Sequence, residues 1–177
     1  MRKSGMEVKV QNGLGELDFL KIAKEEIFKT AVKVRNEWQN NLQKGIGAEG
    51  MHGREYRNTG EAINDITVEP KYPALDMRVG GDVVQLAIAE YGRRPNAPMP
   101  PHEPIARWAN EVGLTPKENE SFDSMVFKIR RSIGKNGLKA FAPGRLAAIR
   151  GTRDLPERIT DRIDREAEAA AEDAGVD

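Results

Sequence analysis

The chain has 177 residues, of which 38% are apolar and 32% are charged, so it suits one domain of ordinary size with an extension and is not polar enough to be disordered throughout. Its 28 Lys and Arg residues balance its 28 Asp and Glu residues, so the net charge indicates no nucleic-acid partner. The lack of cysteine excludes disulfides, thiolate metal sites and a cysteine nucleophile. No apolar run reaches the roughly 18 residues that span a bilayer, and we expect no export signal at the start of the chain.

The first part of the chain predicts a long amphipathic helix. Between Leu17 and Leu42, apolar residues recur at steps of three or four, as one buried helix face requires. That face carries Leu20, Ala23, Ile27, Ala31, Val34, Trp38 and Leu42. Before the helix, Met6–Val10 alternates weakly and predicts a short edge strand. After it, the glycine-rich stretch 45–58 predicts a mobile loop.

The middle of the chain predicts a small antiparallel sheet. Thr59 is a candidate cap for a short helix that ends at Ile63. Apolar and β-branched runs at 66–69, 75–79 and 83–89 are separated by proline or glycine, which predicts a meander of three or four strands. The long helix is expected to cover one face of this sheet.

A proline-rich crossing and two helices are predicted next. The crossing runs from Pro95 to Pro104, and Pro95, Pro98, Pro100 and Pro101 are expected to make it extended, because proline lacks a backbone donor and fixes its own φ. Residues 101–104 are expected to open the next helix, since proline is tolerated in a first turn. A helix at 105–112 should place Trp108 on its inner face, and a second helix at 122–135 should be capped by Ser121.

The end of the chain predicts weaker helical structure. Residues 144–151 predict one further helical turn. The last predicted helix, after Arg153, has a narrow stripe of Leu155, Ile159 and Ile163 that fades into alanine. So thin a stripe is marginal in water, so we expect this helix to dock on another subunit or to fray.

Together these elements predict an α+β fold, with a small antiparallel β-sheet packed by a long N-terminal helix and with C-terminal helices. Two units are expected, a domain at 1–151 and an acidic helical extension at 152–177. Basic side chains outnumber acidic ones by roughly two to one between 92 and 150, and the ratio reverses after Arg153. A chain with one basic and one acidic end can associate head-to-tail with its own copies.

The candidate catalytic residues are His52, Glu61, Asp65 and His102. A hydrolase needs such groups to converge with a nucleophile, and their positions in the sequence indicate no such cluster. Spacings typical of metal ligands and of phosphate-binding loops are also missing. We therefore predict no enzyme activity, no cofactor and no metal, and a hydrolase is only the third hypothesis.

Several short motifs occur in the order found in one protein family. They are Thr59–Ile63, then Glu90-Tyr91-Gly92, then Arg93-Arg94-Pro95 with Pro100-Pro101, then Ile105, Trp108, Gly113 and Leu114, and finally Phe127, Ile129, Ile133, Gly137, Ala140 and Phe141. In this order, over residues 17–150, the chain resembles the neck and tail-completion proteins of tailed phages with long non-contractile tails, which join head to tail. Two features depart from the pattern: Pro143 follows Phe141 where relatives have more aromatic residues, and the acidic helix after Arg153 lies outside it.

The resemblance implies a structural protein of the virion with no catalytic residues. It implies a homo-oligomeric ring of six copies, with twelve as the alternative, at the head–tail junction of a particle assembled in the host cytoplasm. The implied partners are further copies of the chain, a head-closure or connector protein, a tail-terminator or tail-tube protein, and the genomic DNA that passes through the lumen. A membrane is not among them.

Two stretches are the predicted subunit or partner contacts. They are the crossing, with Tyr91, Arg93, Arg94, Pro95, Pro100 and Pro101, and the last helix, with Leu155, Ile159 and Ile163. Arg130 and Arg131 are candidates to line a DNA channel. The alternative function is a sequence-independent nucleic-acid-binding module that uses the basic region 93–139 on phosphates. The structural alternatives are that the crossing is internal packing and that the last helix is a solvated tail.

Overall fold

The computed structural model describes residues 18–51, 60–71 and 75–173. Its helices are α1 (Phe19–Lys44), α2 (Glu61–Asn64), α3 (Val84–Tyr91), α4 (His102–Glu111), α5 (Phe122–Asn136), α6 (Pro143–Thr152) and α7 (Leu155–Asp173). Its strands are β1 (Ile46–Gly47), β2 (Gly50–Met51), β3 (Thr67–Lys71) and β4 (Asp76–Gly80). The predicted α+β class, with a long N-terminal helix and C-terminal helices, is confirmed. The predicted strand at Met6–Val10, the Thr59 cap and His52 lie outside the described residues.

Helix α1 is the predicted long helix, and both of its ends are capped. The Asp18 carboxylate accepts a hydrogen bond from the backbone amide of Lys21 at 2.9 Å, and Gly45 ends the helix in the left-handed conformation with φ of 63°. The buried face is rotated from the predicted one, since Leu20 is 57% exposed and Glu26 is buried. The prediction of Leu20 as a core residue is wrong, because α7 covers the side of α1 that carries Glu26.

The core lies where α1, α2, α3 and the segment before α6 meet. Its buried residues are Leu42, Ala62, Ile66, Leu86, Ala89 and Phe141, packed with the half-buried Trp38, Ile63, Val79 and Val83. Two glycines bring α6 directly onto α1: a Cβ on Gly144 would lie 2.6 Å from Trp38 Cε2, and one on Gly151 would lie 2.4 Å from Val34 Cγ2. Helix α6 is therefore longer and more deeply packed than the single turn predicted.

Strands β3 and β4 form the sheet, which in the described part of the chain has two strands and not three or four. They pair antiparallel, from Thr67 opposite Gly80 to Lys71 opposite Asp76. The loop predicted at 45–58 is also wrong for its first residues, because β1 and β2 form a small hairpin there. The hairpin lies tightly under the chain before α6, since a Cβ on Gly47 would be 1.6 Å from the carbonyl oxygen of Phe141.

The third predicted strand, at 83–89, is helix α3. The run is rich in helix formers such as Gln, Leu, Ala and Glu, and the residues it buries, Leu86, Ala89 and Glu90, are three and four positions apart. The Asp65 carboxylate accepts hydrogen bonds from the backbone amides of Asp82 and Val83, at 2.6 and 3.0 Å, just before the helix. The element that ends in Glu90-Tyr91-Gly92 is therefore a helix and not the strand predicted at 83–89.

Candidate functional site

Residues 92–138 form a helical arm, made of the crossing, α4 and α5, whose two ends are joined at its base. Arg93 and Leu138 exchange both backbone hydrogen bonds, at N–O distances of 2.8 and 2.9 Å. Beside this pair, the carbonyl of Ala89 accepts hydrogen bonds from the amides of Phe141 and Ala142, both at 3.1 Å. The arm therefore begins and ends at one point on the body of the protein.

The arm base requires two glycines of the motif pattern. Gly92 and Gly137 have φ of 71° and 70°, a region that other residues rarely adopt. Each also faces backbone: a Cβ on Gly92 would lie 2.5 Å from the Leu138 oxygen, and one on Gly137 would lie 2.2 Å from the Arg93 oxygen. These motif glycines are thus explained by the close approach of the two chain segments.

The crossing is packed against α5 along its length. Arg130 Nε donates to the carbonyl of Pro100 at 2.8 Å, and the amide of Asn96 donates to the carbonyl of Lys135 at 3.2 Å. The crossing ends at Pro101, because α4 begins at His102. Residues 102–104 form the first turn of α4, as expected for the residues that open this helix.

The predicted contact residues of the crossing divide into two groups. The exposed ones are Tyr91, Arg94, Pro95 and Pro101. Tyr91 is 80% exposed, the highest value among the exposed large hydrophobic side chains of the described residues. Pro100 is buried, and the half-buried Arg93 donates a hydrogen bond from its guanidinium to the carbonyl of Pro98. Pro100 and Arg93 therefore hold the arm together.

The arm has a thin core. Its buried residues are Pro100, Ala109, Val126 and Gly134. Its large apolar side chains Met99, Trp108, Leu114, Phe127 and Leu138 are 44, 39, 36, 47 and 39% exposed. A helical hairpin that buries so little apolar area gains little stability from its own packing. The arm therefore leaves apolar surface that a partner can cover.

Four cationic side chains form a basic patch around the C-terminal end of α5. The basic patch consists of Arg94, Arg131, Lys135 and Lys139, which are all exposed and make no ion pair with a described residue. Nearby Lys128 is different, because it pairs with Glu120 at 2.9 Å and its hydrogen bond holds the pKa of that carboxyl below its usual range. Of the two residues predicted to line a DNA channel, only Arg131 belongs to the basic patch. Arg130 instead donates a hydrogen bond to the carbonyl of Pro100.

Helix α7 is held on α1 by an ionic clasp. Arg162 contacts three carboxylates, those of Glu25 at 2.6 Å, Glu26 at 3.1 Å and Glu166 at 2.9 Å. Arg158 adds a longer contact to Glu26, at 3.8 Å. The buried carboxylate of Glu26 therefore has two arginine partners, Arg158 and Arg162. A buried charge needs such partners.

The clasp lowers the pKa values of its two acidic residues on α1. The hydrogen bond from Arg162 is the main cause of the lowered pKa of Glu25. For Glu26, the hydrogen bond from Lys29 lowers the pKa most, burial opposes it, and Arg162 lowers it further. Both carboxylates therefore favour the charged form in the folded protein.

The apolar stripe of α7 packs within the chain. Leu155, Ile159 and Ile163 are half-buried and lie on the helix face that carries Arg162, toward α1. The stripe that was expected to dock on another subunit or to fray thus has α1 of the same chain as its partner.

The opposite face of α7 carries an acidic stripe. It consists of Glu157, Asp161, Asp164, Glu168 and Glu172, which are exposed and make no ion pair among the described residues. Their steps of four, three, four and four residues place them on one line along the helix. Arg165 lies beside this line and donates a hydrogen bond to the carbonyl of Asp161 at 3.1 Å.

An open groove of about 630 Å³ lies between α1, β4 and α6. Its lining is mainly apolar, with Ile27, Val34, Trp38, Met77 and Ala148 among the residues that form it, and Tyr91 also lines it. The groove can receive an apolar side chain, and it continues to the base of the arm.

The candidate catalytic residues that the structure describes, Glu61, Asp65 and His102, do not converge on one site. Asp65 is engaged by the amides that precede α3, and Glu61 is exposed at the start of α2. His102 lies on the arm, with Nε2 at 3.4 Å from the Asp123 carboxylate. In the ranges that the structure describes, no cluster of three or more His, Asp or Glu side chains could hold a metal ion. Among the same residues, no helix combines the length and the apolar character needed to cross a bilayer.

One residue with a clear role could not be predicted from its position in the sequence. The buried carboxylate of Glu90 accepts hydrogen bonds from the backbone amides of Gly144 at 2.9 Å and Arg145 at 3.0 Å, so it caps α6 from α3. The only sequence signal was the Glu90-Tyr91-Gly92 motif itself, which did not reveal the partner. This motif residue therefore has a structural explanation.

Comparisons with models of protein families, with curated proteins and with solved structures give no match. What the protein does must therefore be inferred from the surfaces described above and from the order of its motifs.

Proposed function

We propose that this protein is a structural component of a tailed virus, and that it forms a ring at the head–tail junction that joins the portal or connector complex to the tail tube. The thin core of the arm is the observation that carries this proposal. The arm, residues 92–138, has only four buried residues among those described, and five of its large apolar side chains are 36–47% exposed. A subunit that gains its remaining stability on assembly has surfaces of this kind.

The order of the motifs supports the same proposal. The motifs around Glu90-Tyr91-Gly92 and around Gly137–Phe141 are distant in sequence and adjacent in space, where they form the base of the arm. If members of the family share this arm, their sequences should share the motifs that form its base. In this proposal the neighbours of each copy are two further copies, a connector protein and a tail protein.

Electron microscopy of the purified protein tests the proposal. We expect closed rings with a central opening and one fixed symmetry, with six copies as the resemblance implies and twelve as the alternative. Single chains at every concentration, or particles without an opening, would contradict it. The neighbouring genes provide an independent check, since genes for a portal, a capsid and a tail-tube protein should lie close by.

Sequence-independent binding of nucleic acid is the second candidate, and the unpaired basic patch is the observation that favours it. Each phosphate that the protein neutralises should lower the logarithm of the affinity by about 0.9 per unit of log salt concentration. Tight binding of short duplex DNA by single chains, with a slope of about −3 to −4, would favour this candidate. Rings that do not bind short duplex DNA would favour the neck protein.

A further inference from the structure

Two exposed surfaces of this protein carry opposite charges that are not neutralised within the described residues. The acidic stripe runs along the outer face of α7, and the basic patch surrounds the C-terminal end of α5. No ion pair joins the two surfaces within the chain, and the side of α7 that faces the body is already occupied by α1 through Arg162. Among the described residues, neither surface therefore has a partner that neutralises it.

The acidic stripe and the part of the basic patch that lies on α5 have similar spacing. At 1.5 Å per residue, the charges of the acidic stripe follow each other at about 4.5–6 Å along the helix axis. In the basic patch, Arg131 and Lys135 are one turn apart, about 6 Å along α5, and Lys139 lies beyond the end of this helix, beside Gly92. Arg94 lies beside them, because its backbone is next to Gly137. The half-exposed Phe127 and Leu138 add apolar area next to the charges.

We propose that the acidic stripe of one copy docks on the basic patch of the next copy, which names the subunit contact of the ring and rests on the proposed function. Each copy uses both surfaces, so the contact is head-to-tail and can repeat until the ring closes. Single ion pairs between exposed side chains contribute little, and the contact therefore depends on several pairs at once and on low ionic strength.

Charge-reversal variants of the full-length chain test this contact. The first variant carries Arg131→Glu, Lys135→Glu and Lys139→Glu, and the second carries Asp161→Lys, Asp164→Lys and Glu168→Lys. A third variant combines all six changes. The control carries Glu61→Lys and Arg107→Glu, which reverse exposed charges outside both surfaces. Circular dichroism verifies that each variant is folded, and light scattering gives the concentration at which half of the chains are assembled.

We expect each single-surface variant to raise that concentration at least about tenfold, and the combined variant to restore it to within about threefold of the unchanged protein. An equal mixture of the first two variants should also assemble, because each supplies the charge that the other lacks. The control should assemble like the unchanged protein.

Four results would overturn the inference. Single-surface variants that assemble normally would leave the ring in place and show that another surface joins the copies. A combined variant that stays dissociated would exclude direct pairing of the two surfaces. Loss of DNA binding with normal assembly in the first variant would assign the basic patch to DNA. If the unchanged protein never assembles, that result would contradict the proposed function, and the proposed contact between copies would fail together with it.

Discussion

Glu90, near the end of α3, caps the N-terminus of α6. Its two carboxylate oxygens accept hydrogen bonds from the backbone amides of Gly144 and Arg145, at N–O distances of 2.9 and 3.0 Å. The negative charge lies at the positive end of the α6 dipole and is 8% exposed. Because the same segment forms the base of the arm, this contact couples the arm to the helix that lies on α1.

Replacing Glu90 tests this coupling. Glu90→Ala leaves the amides of Gly144 and Arg145, the first of them buried, without this acceptor, so we expect it to lower the free energy of unfolding by about 2 kcal/mol, at the upper end of values for helix caps. For a chain of this size that corresponds to a melting temperature roughly 4–8 °C lower. Glu90→Gln retains an acceptor oxygen and should cost less. Thermal unfolding of the three proteins measures both effects, and equal stability of Glu90→Ala and the unchanged protein would contradict the capping role.

The arm base predicts that two glycines with similar φ respond differently to alanine. Gly92 and Gly113 have φ of 71° and 69°, but a Cβ on Gly92 would lie 2.5 Å from the Leu138 oxygen, whereas one on Gly113 would meet no atom within 4 Å. Gly113→Ala should therefore cost only the conformational penalty, about 1–2 kcal/mol. Gly92→Ala must also separate the Arg93 and Leu138 backbones and should cost about twice as much or more. Urea unfolding of both variants provides the comparison, and equal costs would argue against a tightly closed base.

The ionic clasp predicts a dependence of stability on pH. Glu25 and Glu26 have lowered pKa values in the folded protein, so their contribution is complete above their unfolded pKa of about 4.3 and is lost as the pH falls through the lower folded values. Arg162→Gln should therefore destabilise the protein at pH 7, and the difference from the unchanged protein should shrink below about pH 4. Melting temperatures between pH 3 and pH 8 measure this.

Arg165→Gln is the matched control for the clasp. Arg165 lies on the same helix, but its guanidinium donates to the backbone carbonyl of Asp161 and forms no ion pair among the described residues. Its pH profile should follow that of the unchanged protein. If Arg162→Gln and Arg165→Gln gave the same profile, the clasp would not be the source of the dependence.

Removing α7 should separate folding from assembly. A chain that ends after Gly151 retains the core around Leu42 and Phe141, so we expect it to fold, with a lower melting temperature because Glu26 loses its contacts to Arg158 and Arg162. It also loses the acidic stripe, so it should remain a single chain where the full-length protein assembles. Light scattering of both proteins decides this, and unchanged assembly of the shorter chain would count against a role for α7.

Much of the helical structure could be predicted because its signals are local. The period of α1, the Ser121 cap of α5 and the glycine that ends each of these helices are all readable within a few residues. The sequence predicts a strand where α3 lies, because Val83 to Ala89 is a short apolar run, for which periodicity alone does not separate strand from helix. The capping contact between Asp65 and the amide of Val83 joins residues that are 18 positions apart.

The surfaces of the candidate site were only partly predictable. Basic and acidic regions are visible in the sequence, but whether a charge is free depends on contacts between distant residues. Arg130 and Arg131 are neighbours in the sequence, yet one is bonded to the carbonyl of Pro100 and the other is exposed. In the same way, Leu155 and Ile159 suggested a subunit contact, and the structure gives them α1 of the same chain.

The mass of the protein in solution tests the central claim most directly. Sedimentation equilibrium of the full-length chain at low and at moderate salt should give a particle of about six times, or about twelve times, the 19.7 kDa mass of one chain, with dissociation favoured as salt rises. A mass of one chain under every condition, up to the highest concentration that stays soluble, would contradict the claim that the protein completes its surface with copies of itself.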